Sequence, residues 1–196
     1  LADAFVASDG LPVYYKDANW VAKTSDAFFA NRDPRLTMCI RDHYCVKDES
    51  LSPFSYALSG LAWNKFMDDS KAGEKNPTWA REKNTTDAPC LRYAEVLLNY
   101  VEAAYELHLM SKYSFSQADL DKSINLIRAR ADVNLPALQI LGDQPAINNV
   151  AFDDPKRLAI EQNADGGVTN AMLWEIRRER RVELCREGFR NADLKR

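Results

Sequence analysis

The sequence predicts a mainly α-helical protein that carries a long, irregular, loop-rich region, and three observations support this. Apolar residues recur at spacings of three and four within residues 91–105, 120–131 and 173–184, the signature of amphipathic helices. Gly and Pro breakers crowd residues 1–84 and 135–167 instead. The chain has 196 residues, 46% of them hydrophobic, with only 7 Gly and 8 Pro, which suits one large packed domain and excludes collagen-like, disordered or low-complexity chains. Residues 1–84 are expected to form a loop-rich, aromatic-rich part and residues 85–196 a helical part, together one domain or a fragment of a longer chain.

In the first part, Asp9-Gly10, Pro12, Asp33-Pro34, Ser52-Pro53, Gly60, Gly73 and Asn76-Pro77 cut the chain into short runs. Residues 36–40 read as a short strand or as extended loop, which periodicity does not separate. A helix is predicted from Pro89, with Leu91, Ala94, Leu98, Val101 and Tyr105 as its stripe. Its small residues Ala94, Ala103 and Ala104 permit a close neighbour. Ser116 as N-cap and Asp119 in the first turn open a second helix striped by Leu120, Ile124, Ile127 and Ala131. The short connection predicts an antiparallel pair.

Pro136, Gly142, Pro145, Pro155 and Gly166-Gly167 mark residues 135–167 as a long crossing segment with one helical turn near residues 155–159. Thr169 is the expected cap of a third helix, whose stripe of Leu173, Ile176, Arg180, Glu183 and Leu184 sets two charges on the packing face. An uncompensated buried charge costs about 3 to 5 kcal/mol, so Arg180 and Glu183 must pair with each other or with neighbours.

Net charge is −3, from 26 Lys+Arg against 29 Asp+Glu, which supplies no long-range field for phosphate or anionic lipid. Five arginines, Arg177, Arg178, Arg180, Arg181 and Arg186, resemble a nucleic-acid helix, but Glu175, Glu179, Glu183 and Glu187 interleave them and favour a salt-bridged face. No stretch reaches the roughly 18 to 20 uncharged apolar residues of a spanning helix, and no basic, apolar leader opens the chain. The start at Leu1 and the stop at Arg196 suggest a mature or excised piece.

Cys39, Cys45, Cys90 and Cys185 form no C-x-x-C pair and have no His at zinc-finger spacing, so no metal site is expected. Cys90 and Cys185 read as small core hydrophobes, whereas Cys39 and Cys45 are close enough to bridge locally. His43 reads as a loop residue and His108 as a residue facing a helix C-terminus. Asp68-Asp69 and Asp153-Asp154 invite a glycosidase reading, yet adjacency in a loop says nothing about the separation of about 5 to 10 Å such chemistry needs. Nucleotide, P-loop, serine-hydrolase and zincin motifs are absent. Binding without a cofactor is therefore expected rather than catalysis.

Aromatic residues crowd the first part, and a flat phenol or indole offers an apolar face to sugar C–H groups and a polar edge to hydroxyls. For Trp63 and Trp79 the core reading is the stronger. In more polar surroundings, Tyr14, Tyr15, Trp20 and Tyr44 are the candidate ligand-binding residues.

Three segments together resemble the SusD/RagB family of outer-membrane nutrient-binding lipoproteins, in its C-terminal portion: residues 92–107 (RYAEVLLNYVEAAYEL), 124–133 (INLIRARADV) and 173–196 (LWEIRRERRVELCREGFRNADLKR). Shorter echoes are DGLPV at residues 9–13, NRDPRL at 31–36 and FDDPKR at 152–157. The chain departs at Asp132, where the family usually has Gly, and at Cys185, Arg186, Asn191 and Ala192. The resemblance implies a SusD-like fold with tetratricopeptide-like helix pairs. It further implies non-catalytic binding of a glycan, oligosaccharide or other nutrient at the cell surface, and delivery to a SusC-like TonB-dependent transporter. Outer-membrane attachment would be by a lipid anchor outside this segment. Arg92, Glu95, Glu179, Arg180 and Glu183 match the family signature and read as architectural. No ligand-site motif transfers, so Tyr14, Tyr15, Trp20 and Tyr44 rest on side-chain chemistry alone. The competing reading is a helical-repeat interaction module that binds protein and no sugar.

Overall fold

A computed structural model of the chain describes residues 2–17, 20, 25–42, 61–66, 89–157 and 170–195. Helices dominate, and the chain divides into two units. One holds residues 1–21, 31–35 and 92–196, the other residues 22–30 and 36–91.

The larger unit opens with a 3-10 turn at Ala2–Ala4 and the single turn α1 (Val13–Lys16). The smaller unit contains α2 (Ser25–Phe29). Residues 36–40 are not a strand: α3 (Arg35–Cys39) is helical, started by Asp33, whose Oδ1 accepts the Arg35 amide at 2.9 Å. Beyond it, Ile40 makes an isolated antiparallel bridge with Trp63, supported by the Arg41 amide on Ala62 O and the Asn64 amide on Cys39 O. Trp63 is exposed, which corrects its assignment to the core. Trp79, His43 and Cys45 lie outside the described residues, and with Cys45 so does the local bridge to Cys39.

The frame of the larger unit is α4 (Tyr93–Leu109) packed against α7 (Ala171–Glu183). Ala94, Leu98, Val101 and Tyr105 are buried as their spacing predicts, and they share a core with Met172, Leu173 and Ile176 of α7. Full burial of Leu98 or of Val101 contributes roughly 1.5 to 3 kcal/mol. The helix begins later than Pro89 because Arg92 is extended at its N-cap, which leaves Leu91 and Cys90 exposed and corrects the core reading of both. Cys185 is buried as expected. Ala103 faces outward, unlike Ala94 and Ala104.

The second predicted helix is two short ones, α5 (Gln117–Asp121) and α6 (Ile124–Arg128). Ser116 and Asp119 form the expected capping box. The break falls at Ser123, whose hydroxyl donates to the Asp119 and Leu120 carbonyls and whose ψ of −98° is not helical. Leu120, Ile124 and Ile127 still reach the core, whereas Ala131 lies past α6 and is exposed.

Within the crossing segment, the sequence reading missed a three-stranded antiparallel meander: β1 (Gln139–Leu141), β2 (Gln144–Ile147) and β3 (Val150–Ala151). Ile140 faces Pro145, and Ile147 faces Val150. Gly142 at φ +60° turns the first hairpin, and Asn148 and Asn149, at φ 51° and 60°, turn the second. Ala146, Ile147 and Phe152 seal this edge of the core. A helical turn occupies residues 155–157, and residues 158–169, Thr169 among them, lie outside the description. The cap of α7 is Asn170, whose Oδ1 accepts the Leu173 amide at 2.9 Å. A last turn, α8 (Arg190–Asp193), follows.

Candidate functional site

The chain enters the candidate site through the turn at Asp9-Gly10, where Asp9 Oδ1 accepts the Leu11 amide at 3.2 Å. Gly10 adopts φ +83°, and a Cβ there would stand 2.6 Å from Arg128 Nη2, so only glycine fits without displacing that side chain. Pro12 then leads into α1, which buries Val13 and leaves Tyr14 half-buried and Tyr15 exposed.

Of the four aromatic candidates, the structure brings two together. Tyr14 and Trp20 meet edge to face, with ring centroids 6.2 Å apart and planes at 89°. Trp20 is half-buried, and its backbone amide is bonded to Asp17 O. Tyr15 turns instead to Phe152, 5.9 Å away. Tyr44 lies outside the described residues. The pair makes a corner rather than one flat platform, and each ring carries a cation. Arg32 Cζ lies 5.1 Å from the Trp20 centroid and Lys156 Nζ 4.7 Å from that of Tyr14. Arg32 is anchored by donating to Ala2 O and Phe5 O at 2.8 and 2.9 Å. Lys156 reaches Asp3 Oδ2 at 2.7 Å. Burial would raise the Asp3 pKa, but the hydrogen bond and charge of Lys156 outweigh it and hold the carboxyl below the usual range. Sequence reasoning missed Asp3, Arg32 and Lys156. Arg32 and Lys156 stand in the NRDPRL and FDDPKR segments, the available signal.

Three of the signature residues, Arg92, Glu179 and Glu183, join an ion network along α7. Arg35 binds Asp33 through Nε and Nη2, and reaches Glu179 at 3.0 Å and Glu183 at 3.3 Å. Arg128 donates to Glu179 Oε1 and to Pro136 O. Arg92 forks onto Glu187 and also meets Glu183, which Arg130 contacts at 2.8 Å. Arg178 pairs with Glu175 one turn away. Arg35, Arg92, Arg128, Arg130 and Arg178 thus face Asp33, Glu175, Glu179, Glu183 and Glu187.

Burial alone would raise the Glu179 pKa, but Arg35, Arg128 and Arg178 overcome it and hold the carboxyl at about 2. Burial pushes Arg178 down to about 10 against the pull of Glu179. Arg180 pairs with neighbours rather than with Glu183: it donates to Asn99 Oδ1 at 2.7 Å and Asp193 Oδ1 at 3.0 Å. Glu95 sits in the first turn of α4, where a carboxylate complements the helix dipole.

The remaining motifs are also structural. Arg177 bonds Glu102 and Glu106, and with the buried Arg178 and Arg180 it makes a salt-bridged face of α7. Asp153 binds Arg157, while Asp154 accepts the Lys156 amide and Trp174 Nε1. Asp68 and Asp69 lie outside the described residues. His108 occupies the last turn of α4, with Nδ1 3.2 Å from Tyr113 O and Nε2 3.3 Å from Asp143 Oδ1. Among the described residues no group of three His, Cys, Asp or Glu could hold a metal ion, and no helix is long and apolar enough to cross a membrane.

A helical frame crossed by buried ion pairs, with a small antiparallel meander and an aromatic corner, defines a helix-dominated class of fold. The chain belongs to the SusD family, whose model matches residues 1–196. It is similar to the crystal structure of a SusD-like carbohydrate-binding protein from Bacteroides fragilis NCTC 9343, with 25% identity and a TM-score of 0.57. The match covers 98% of this chain and 33% of that one, so the chain spans about a third of that protein's length. No curated protein matches the sequence.

Proposed function

We propose that this chain is part of a cell-surface, non-catalytic glycan-binding protein that holds an oligosaccharide and passes it to a SusC-like TonB-dependent transporter in the outer membrane. On this reading the full protein is lipid-anchored, and the loop-rich residues 1–84 contribute most of the ligand contacts. The observation that carries the reading is the Tyr14–Trp20 corner, half-buried and edged by Asp3 and Lys156. Aromatic surface there meets sugar C–H groups, and the charged edge meets hydroxyls. Tyr15 and Tyr44 belong to the proposed site on the same chemistry. The carbohydrate-binding description of the Bacteroides fragilis relative supports the ligand class.

Water competes for every hydroxyl, so millimolar to micromolar affinity is expected, about −4 to −8 kcal/mol. Calorimetric titration of oligosaccharides into the wild type and Trp20→Ala tests the site, and unchanged binding in the variant removes Trp20 from it. A hydrolase would release product from a glycan incubated with the protein; none is expected.

A second reading, a protein-interaction module, is favoured by one feature. On the face of α4 turned from the core, Tyr93, Val96, Tyr100 and Leu107 are all exposed, at the heptad spacing that suits another helix. Recovery of a transporter by the immobilised chain, with no sugar registering in calorimetry, would favour this reading over the first.

A further inference from the structure

Two ion pairs of the larger unit differ in their access to water. Against α7, the side chains of Arg128 and Glu179 are 1% and 3% exposed. At the aromatic corner, Lys156 Nζ meets Asp3 Oδ2 at 2.7 Å with side chains 42% and 38% exposed, so both charged groups stand open to solvent. A single exposed pair adds little to stability, because water and salt screen it. Its position is what sets it apart. Lys156 Nζ lies 4.7 Å from the Tyr14 ring centroid, and that ring meets Trp20 at 6.2 Å, so charges and rings share one accessible corner.

An ammonium has three donors and a carboxylate about four acceptor positions, and the contact between Lys156 and Asp3 uses one of each. What is left suits a ligand that offers donors and acceptors side by side. Two hydroxyls on adjacent sugar carbons, standing gauche, are spaced much as the two charged atoms are. One donates to Asp3 while its neighbour accepts from Lys156, and each bond is charge-assisted and stronger than a neutral one. A carboxylate or sulfate group fits less well: it accepts from Lys156 but has no proton for Asp3 and meets it as a like charge.

We propose that the aromatic corner selects a neutral saccharide presenting two adjacent free hydroxyls, and that Asp3 and Lys156 are the residues that read them. This rests on the glycan-binding reading above and names its substrate class. The rings hold the C–H surface of the sugar, and the ion pair decides which sugar is held.

The test is calorimetric titration of the chain with malto-, manno- and galacto-hexaose, each beside its C6-oxidised uronate of equal length. At least one neutral sugar should bind about tenfold or more tightly than its uronate, and its fully O-methylated form, which keeps the rings but has no O–H for Asp3, should bind about tenfold or more weakly. Asp3→Asn should weaken the neutral sugar and narrow the gap to the uronate, whereas Lys156→Gln should weaken the neutral sugar without narrowing it. A pair that only held the fold would move both sugars together. Thermal unfolding confirms that each variant is folded. A uronate that binds as tightly as its neutral parent, undiminished affinity of the O-methylated sugar or of either folded variant, or an unchanged gap in Asp3→Asn overturns the neutral-saccharide proposal and leaves glycan binding standing. No binding of any of these sugars by the folded wild type overturns both.

Discussion

Arginine does two different jobs within the larger unit. Under α7, Arg35 and Arg128 grip Glu179 while Arg92, Arg130 and Arg35 share Glu183, so each guanidinium meets at least one carboxylate. In the candidate site, Arg32 lies over the Trp20 ring and is anchored by the carbonyls of Ala2 and Phe5. The first arrangement spends its charge on holding helices and loops together. The second sets its charge against an aromatic ring. What separates frame from candidate site is therefore what the guanidinium faces, a carboxylate or a ring, not the residue type.

The frame should break most visibly at its centre. Glu179→Ala leaves Arg35 and Arg128 buried without their shared acid and should lower stability by about 3 to 5 kcal/mol in urea unfolding. If the variant unfolds with the wild-type midpoint, the network is decorative. The same pairing sets a pH dependence. Because the folded pKa of Glu179 is about 2, below its ordinary value of 4.5, its contribution is fully present above pH 4.5 and is lost as pH falls toward 2. Acid titration of the wild type followed by circular dichroism should show this loss, and Glu179→Gln should flatten it.

Gly10 tests how tightly the NRDPRL and DGLPV segments are tied to this frame. Gly10→Ala meets both a φ of +83° and the pinned Arg128 guanidinium, and should lose about 1 to 3 kcal/mol. Full stability in that variant would show that Arg128 moves aside easily. Asn170→Ala, which removes the α7 cap, should lose about 1 kcal/mol by the same unfolding measurement. The smallest effect belongs to the rim: Glu106→Ala should change stability by about 0.2 to 1 kcal/mol, since Arg177 keeps Glu102.

The sequence made the frame legible because helical periodicity is local. Ala94, Leu98, Val101 and Tyr105 could face only one way once the helix formed, and the capping chemistry of Ser116 and Asp119 is readable within four residues. The meander was hidden because strands of three, four and two residues are too short to show alternation. The split at Ser123 depends on one hydroxyl choosing nearby carbonyls over the helical pattern, which spacing alone does not reveal. At the candidate site, side-chain chemistry pointed to Tyr14 and Trp20. Asp3 and Lys156, 153 residues apart, gained meaning only when folding set them side by side. Arg180 and Arg181 are neighbours in sequence, yet only the fold decides which one finds Asp193.

The central claim is that the Tyr14–Trp20 corner contacts saccharide, and the indole N–H signals of the chain's 4 tryptophans report on it directly. In a nitrogen-15 correlation spectrum assigned with Trp20→Phe, adding oligosaccharide should shift the Trp20 signal saturably while Trp174, tied to Asp154, stays in place. A stationary Trp20 signal in the presence of bound sugar would contradict the account.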